Sequence, residues 1–355
     1  MDLEKSLVFI ETSFLSPLLV DQDITDISFN GENIYYLHNI YGRQKADIVV
    51  DINIIKDFIR QIANLSDKQF SFQTPILDVS IGKYRINAVH QSIGRVGNHP
   101  SLTFSIRLAS LSPRITDQSN FLTKELIVLF EVLLKSKVSI VIGGLTGSGK
   151  TEFQKYLVRK ISSHSRLVII DNILELEQVR EQTDLDINTW QVDDKNEASS
   201  IQNLVKNALR SNPDWLIVAE SRGSEMIEVL NSAMTGHPII TTIHATDAQS
   251  MTSRMARMVM MSDKKMDYEN VLLDIIYHFR FLVYLEKNEN IDGSIVRYIK
   301  SIFYQENDGQ LRPLYKKKDD KHIYYKFPKS IFELLKFKDN DHLFIKTFVE
   351  ADQNE

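Results

Sequence analysis

The sequence predicts an α/β protein in two parts: an α+β N-terminal domain, then a domain built on a mostly parallel sheet with helices on both faces. Three observations lead there. The chain has 355 residues, a little over twice the roughly 150 expected of one domain. Short alternating strands dominate its first hundred residues, whereas strands and helices take turns beyond residue 120. Between the two textures lies a polar stretch, 109–120, broken by Pro113. The expected division is therefore a domain over 1–112, a linker over 113–120, a second domain over 121–310 and a tail over 311–355.

Each element has its own pattern. Ile24–Phe29 alternates and runs into Asn30-Gly31, a turn pair, before Ile34–Leu37; this reads as a hairpin. Ile55, Phe58, Ile59 and Ile62 recur at helical spacing within 51–64. Strands follow over 76–81, 84–89 and 102–108. In the last, Leu102, Phe104, Ile106 and Leu108 share one face, and Thr103, Ser105 and Arg107 the other. In the second part the expected order is helix 121–135, strand 138–142, a Gly-rich loop and a helix from 150. Strand 167–170, helix 198–211, strand 215–219, helix 223–234, strand 239–243 and helix 247–260 come next. Helix 267–275 and two β-rich runs, 278–285 and 294–304, complete it. Lys316-Lys317-Lys318 reads as a solvated turn.

Composition excludes several classes. Hydrophobic residues make up 43% and charged residues 25%, which is globular rather than disordered or fibrous. Against 47 Asp and Glu there are 42 Lys and Arg, a net charge of −5. That balance, with no aromatic-rich basic stripe, counts against direct nucleic-acid binding. With no cysteine, disulfides, thiolate metal sites and cysteine nucleophiles are excluded, and a reducing cytoplasm fits. No basic segment precedes an apolar one at the N-terminus, so no signal peptide is expected. The longest apolar run, 126–134, contains Glu131 and is far shorter than the roughly 20 residues of a membrane span. Work at a membrane would go through partners.

Gly144-Leu145-Thr146-Gly147-Ser148-Gly149-Lys150-Thr151 fits G-x-x-x-x-G-K-[ST], between an apolar strand and a helix. The glycines let backbone N–H groups turn inward around a phosphate, and the helix N-terminus adds positive charge. Lys150 would reach the β- and γ-phosphates, and the Thr151 hydroxyl would ligate Mg²⁺. ATP and Mg²⁺ are the expected ligands.

Four other positions fall where open α/β sheets bind ligands, at strand carboxyl ends. Glu220 follows the apolar Trp215–Ala219; there a carboxylate can orient water or hold Mg²⁺. Asp171 follows Leu167–Ile170, and its residue type suits a catalytic acid and a helix cap equally. Glu175 lies one helical turn beyond it. His244 ends Ile239–Ile243, where an imidazole can sense the γ-phosphate. His237 precedes that strand, at the opposite edge, and reads as structural or intersubunit.

Three segments carry a family resemblance: Leu167–Leu176 with Asp171, Asn212–Glu225 with Glu220, and Thr235–Thr246 in the form T-G-H…T-x-H-A. Together with the phosphate loop they resemble, in order, the Walker A, Asp box, Walker B and His box of the type II and type IV secretion ATPases. The likeness spans about residues 20–310. It implies a RecA-like P-loop ATPase domain and a homohexameric motor for secretion, conjugation or pilus biogenesis at the cytoplasmic face of the plasma membrane. Inner-membrane or coupling proteins of such a machine would be its partners. It also implies that Glu220, Asp171 and Lys150 are catalytic, that Thr151 and Glu220 hold the metal, and that Glu175 and His244 face the nucleotide. Cations for the transition state would come from N-terminal-domain arginines, Arg107 first and Arg95 second, with Arg85, Arg114 and Arg222 as further candidates. The Asp box here reads Asp171-Asn172 rather than Glu-Asp, and Ala219 and Ser221 replace a glycine and an aliphatic residue around Glu220. These departures motivate a second reading, an ATP-binding assembly scaffold with little hydrolysis. The missing cysteines exclude the zinc module of some type II motors and favour the conjugation, type IV secretion or tight-adherence branches.

Overall fold

The computed structural model describes residues 3–110, 112–193, 196–337 and 341–349. Two compact units make up the chain: Met1–Ser112 with Asn288–Val296, and Pro113–Lys287 with Arg297–Glu355.

The first unit opens with helices α1 (Leu3–Glu11) and α2 (Ser16–Leu19). Its strands are β1 (Ile24–Phe29), β2 (Ile34–His38), β3 (Gly42–Lys45), β4 (Ile76–Ile81), β5 (Tyr84–Val89), a small hairpin β6 (Arg95–Val96) and β7 (His99–Pro100), and β8 (Thr103–Leu108). Among the described residues they form an antiparallel sheet in the order β3-β2-β1-β8-β5-β4, with β6 and β7 apart. Alternation buries one face: Ile27, Ile86 and Ile106 are fully covered. Helix α3 (Ile52–Leu65) lays Ile55, Phe58, Ile59 and Ile62 into the same core. Its first turn is capped by the Asp51 carboxylate, which accepts from the Asn53 N–H at 2.7 Å.

The strands lying wholly or mainly in the second unit are β9 (Ile140–Gly144), β10 (Arg166–Asp171), β11 (Asp186–Gln191), β12 (Trp215–Val218), β13 (Ile239–His244), β14 (Phe281–Glu289), β15 (Ile295–Gln305), β16 (Leu311–Lys318) and β17 (Lys321–Tyr324). They make one sheet among the described residues, in the order β11-β10-β12-β13-β9-β14-β15-β16-β17. The pairs from β11 through β14 are parallel, and β15-β16-β17 is antiparallel. Parallel strands are covered on both faces, so β9, β10, β12 and β13 are near-continuous apolar runs. Helices α4 (Lys124–Lys135) and α5 (Lys150–Arg159) pack on one face. On the other lie α6 (Ile201–Ala208), α7 (Met226–Met234), α8 (Ser250–Val259) and α9 (Tyr268–His278). The mostly parallel sheet expected from the sequence is present.

Three features differ from the expectations. A 3-10 helix, Glu175–Gln182, and the edge strand β11 occupy a region without clear periodicity. The segment from 311, read as a tail, adds β16 and β17 to the sheet; residues 338–340 and 350–355 lie outside the described residues. Lys316, Lys317 and Lys318 are therefore strand residues, and the turn is Asp319-Asp320, with Asp319 at φ +53°. Leu314 and Tyr315 are buried beside them, and the Lys317 ammonium rests 4.5 Å above the Tyr298 ring. Their stems cover aromatic surface while the charges stay wet.

Helix α5 carries the phosphate loop's end and is fixed by its underside. Phe153 is fully buried, edge-on to Phe130 at 5.0 Å between centroids. Gln154, also fully buried, donates its amide to the carbonyls of Val218 (2.9 Å) and Ile240 (3.2 Å), tying α5 to two strands. We expect Phe153→Ala to lower the unfolding free energy by about 3–5 kcal/mol. Urea denaturation would read this as a lower midpoint at unchanged slope.

Candidate functional site

Parallel register decides what meets at the sheet's carboxyl edge. Gly144 pairs with His244 on one side and with Leu285 on the other. Ile170 pairs with Val218, and Val218 with Thr241. The ends of β9, β10, β12 and β13 thus gather at one edge: β9 and β13 end level, while β10 and β12 stop two and three pairing steps short of His244. They carry Gly144, Asp171, Glu220 and His244 respectively, and His237 sits at the opposite end of β13.

The phosphate loop runs from β9 into α5. Gly144 has φ +155°, and a Cβ there would lie 2.5 Å from Ser148 Oγ and 2.6 Å from the Leu285 carbonyl oxygen, so only glycine fits. Gly149, the residue before α5, sits at φ +93°. Lys150 is only 8% exposed, and its ammonium donates to the carbonyls of Gly144 and Leu145, both at 3.0 Å. The Ser148 hydroxyl is fully buried without a hydrogen-bond partner. A buried hydroxyl and an ammonium turned onto its own loop are groups that an anion would satisfy.

A line of polar groups leads away from Lys150. Its Nζ lies 3.4 Å from His244 Nδ1. His244 Nε2 lies 2.9 Å from Glu220 Oε1. Glu220 Oε2 accepts from the Arg222 guanidinium at 3.0 Å. Burial, and then the Lys150 charge, pull the His244 imidazole below its ordinary range, against the opposing pull of Glu220. A neutral imidazole that accepts from Lys150 at Nδ1 carries its proton on Nε2, facing Glu220. Glu220 Oε1 is buried with no hydrogen-bond partner. That oxygen and the Thr151 hydroxyl are the acceptors suited to a hard cation or a water.

The substitutions around Glu220 are accommodated within the sheet. Ser221 is buried and its hydroxyl meets that of Thr241 at 2.9 Å. Thr242 Oγ1 donates to the Ala219 carbonyl at 2.7 Å, fixing the peptide that precedes Glu220. Thr242 belongs to the T-x-H-A segment quoted from the sequence, but spacing alone shows neither its bond to Ala219 nor that of Thr241 to Ser221.

Asp171 has a different environment. Its two oxygens accept the backbone N–H groups of Ile173 and Leu176, each at 3.0 Å, and it is 1% exposed. It holds the turn into the 3-10 helix on which Glu175 is buried. Arg95 and Arg107 lie in the first unit. Arg95 donates to the carbonyls of Gln91 and Gly94 at 3.0 Å. Arg107 is exposed on β8, opposite Asp26 of β1 and Arg85 of β5. His237, at the far edge, meets the Thr235 hydroxyl at 3.0 Å.

Residues 101–351 match the family described as "Type II/IV secretion system protein". The chain belongs to that family. Over 314 residues it is 27% identical to an uncharacterized protein of Bacillus anthracis, covering 84% of this chain and 69% of that one. It is 30% identical to the type IV secretion system protein VirB11 of Brucella suis over 173 residues, 47% of each chain. An uncharacterized protein of Methanocaldococcus jannaschii aligns at 26% identity, with 53% of its length covered. Several of these relatives are thus spanned only in part. Among solved structures, the Legionella pneumophila ATPase DotB superposes with TM-score 0.65 at 19% identity, covering 85% of this chain and 82% of that one. The pilus retraction motor PilT gives TM-score 0.55 at 16% identity, covering 81% and 83%. These likenesses confirm the fold: an N-terminal α+β domain and a RecA-like core. Among the described residues no helix is long and apolar enough to cross a membrane.

Asp171's two backbone bonds give a stability test. In Asp171→Asn, an amide NH₂ faces one of the two backbone donors. We expect thermal or urea unfolding to show a loss of about 1–3 kcal/mol. An unchanged midpoint would contradict the hydrogen bonding described.

Proposed function

We propose that the protein is an ATP-hydrolysing motor of a secretion, conjugation or pilus machine. One observation carries the reading: the phosphate loop, Glu220 and His244 stand at one edge of the sheet, joined through Lys150. Family membership supports it, as do the names of the relatives: VirB11 is called a type IV secretion system protein, DotB an ATPase and PilT a pilus retraction motor.

In this reading the loop's backbone N–H groups and Lys150 take the phosphates of ATP. Lys150 leaves two carbonyls to do so, which costs little because it exchanges hydrogen bonds. Thr151 and Glu220 would hold Mg²⁺, which when bound neutralises phosphate charge. Glu220 Oε1 orients the attacking water, and His244, between Lys150 and Glu220, couples the phosphate end of the site to the base. Asp171 and Glu175 shape the neighbouring turn; with both Asp171 oxygens engaged by backbone, Glu220 is the better-placed base. The motor is a homohexamer, Arg107 and then Arg95 act on the phosphates, and it docks at the cytoplasmic face of a membrane through partner proteins of the machine.

Steady-state phosphate release and nucleotide binding test the chemistry. Lys150→Ala should abolish hydrolysis while leaving the melting temperature unchanged. Glu220→Gln should bind ATP normally and hydrolyse it more slowly by on the order of 10²–10⁴. A full-rate Glu220→Gln protein would remove Glu220 as base. A wild-type protein that binds ATP but releases no phosphate at any concentration would favour the scaffold reading.

Assembly has its own test. Turnover per subunit should rise with protein concentration as the ring closes, and Arg107→Ala should lower turnover more than stability. Sedimentation of a fully active monomer would overturn the ring.

A further inference from the structure

Sequence reading finds one cation beside the phosphate loop, Lys150, and looks for others outside the core. The fold supplies another from within it. Arg297, early in β15, reaches the loop from 150 residues away: its Nε donates to the Gly147 carbonyl at 2.7 Å. Gly147 sits at φ +77°, a conformation that favours glycine, and the bond shows that its carbonyl faces β15. The stem of Arg297 then runs past Gly149, where an added Cβ would lie 3.6 Å from Arg297 Cδ. Lys287 of β14 also lies near Gly147, its Cδ 3.9 Å from where an added Cβ would be. Arg297 is half-buried, and Arg114 is near enough for its charge to act on it. Burial and that second arginine both disfavour the Arg297 charge. Gathering like charges around a loop built from inward-facing N–H groups is unfavourable until an anion arrives, and favourable once it does.

We propose that Arg297 is a nucleotide-binding residue of this site: held by Gly147, its guanidinium lays a second core cation beside Lys150 against the phosphates of a nucleoside di- or triphosphate. The proposal rests on the nucleotide-binding reading above and extends it. The Nε bond aims the side chain, and the terminal nitrogens are the part that meets the phosphates. Guanidinium suits this because its planar fork can serve the loop and an oxyanion at once.

Two substitutions separate charge from hydrogen bond. In Arg297→Gln the amide nitrogen occupies the place of Nε along the side chain, so the bond to Gly147 is kept and the charge removed. In Arg297→Lys the charge is kept and the fork lost. Mg²⁺–ADP titrated calorimetrically into each variant, at low and high salt, gives the readout, with circular dichroism melts confirming folding. Arg297→Gln should bind ADP about ten- to a hundredfold more weakly and with a shallower salt dependence, Arg297→Ala at least as weakly, and Arg297→Lys within a few-fold of wild type. Wild-type affinity in Arg297→Gln, whatever Arg297→Ala does, overturns the proposal and leaves Arg297 as a strut of the loop. Loss in Arg297→Lys equal to that in Arg297→Ala overturns it too. Lys150→Ala, titrated alongside, reads the underlying assignment: if it binds ADP like wild type, the phosphate-loop reading itself fails, whereas its loss of binding with an intact Arg297→Gln isolates the failure to Arg297.

Discussion

Parallel register is the constraint on which the site depends. In a parallel ladder every strand runs the same way, so the carboxyl ends gather at one edge, and the connections all return over the faces. Gly144, Asp171, Glu220 and His244 come from four strands spread over a hundred residues, and none of them is brought to the others by a local turn. A slip of one pairing step in β13 would carry His244 away from Gly144 and turn the following side chain to the wrong face. The apolar strands prevent that slip. Ile140, Val141 and Ile142 face Ile240, Thr241 and Thr242 in a core with no room for rearrangement.

Electrostatics at this edge follow from burial. Lys150 is nearly covered, so its charge needs partners at all times. In the structure described here, two loop carbonyls and the neutral His244 supply them. The same covering keeps His244 neutral, because a second positive charge 3.4 Å from Lys150 would find too little water to screen it. Arg222 balances Glu220 from the solvent side. The polar line is therefore already arranged before any phosphate is present, and little reorganisation is left for the reacting state.

Much of this was legible in the sequence because it is local. A phosphate loop declares itself through eight consecutive residues, and strand ends through apolar runs followed by Asp171, Glu220 and His244. The sheet's antiparallel extension was not: β16 combines Leu314 and Tyr315 with three lysines, and the lysines read as solvent until Tyr298 is seen beneath Lys317. β11 was missed for a similar reason, since Asp186–Gln191 is an edge strand with one buried residue, Ile187. Arg297 gave no local signal at all. Its place beside Gly147 is a property of strand order, β9-β14-β15, which periodicity cannot reveal.

The departures from the family pattern also become physically intelligible. A glycine before the base would leave its peptide free to turn; here Ala219 occupies that place, and Thr242 Oγ1 holds its carbonyl. Ser221 would be a liability as a buried hydroxyl, but Thr241 satisfies it from the neighbouring strand. Asp171 is one methylene shorter than the family's glutamate, and that shortness suits it to its neighbours: both oxygens reach backbone N–H groups two and five residues on. A longer side chain would carry the carboxylate past the Ile173 N–H, the nearer of the two. Asp171 and Ser221 are thus each engaged by specific backbone or hydroxyl groups, and Glu220 Oε1 is a buried carboxylate oxygen at this edge with hydrogen-bonding capacity in hand. An oxygen in that condition, 2.9 Å from a neutral imidazole and one strand from the phosphate loop, has lost much of its water without gaining a full partner. That is the state in which a carboxylate binds a new donor most strongly.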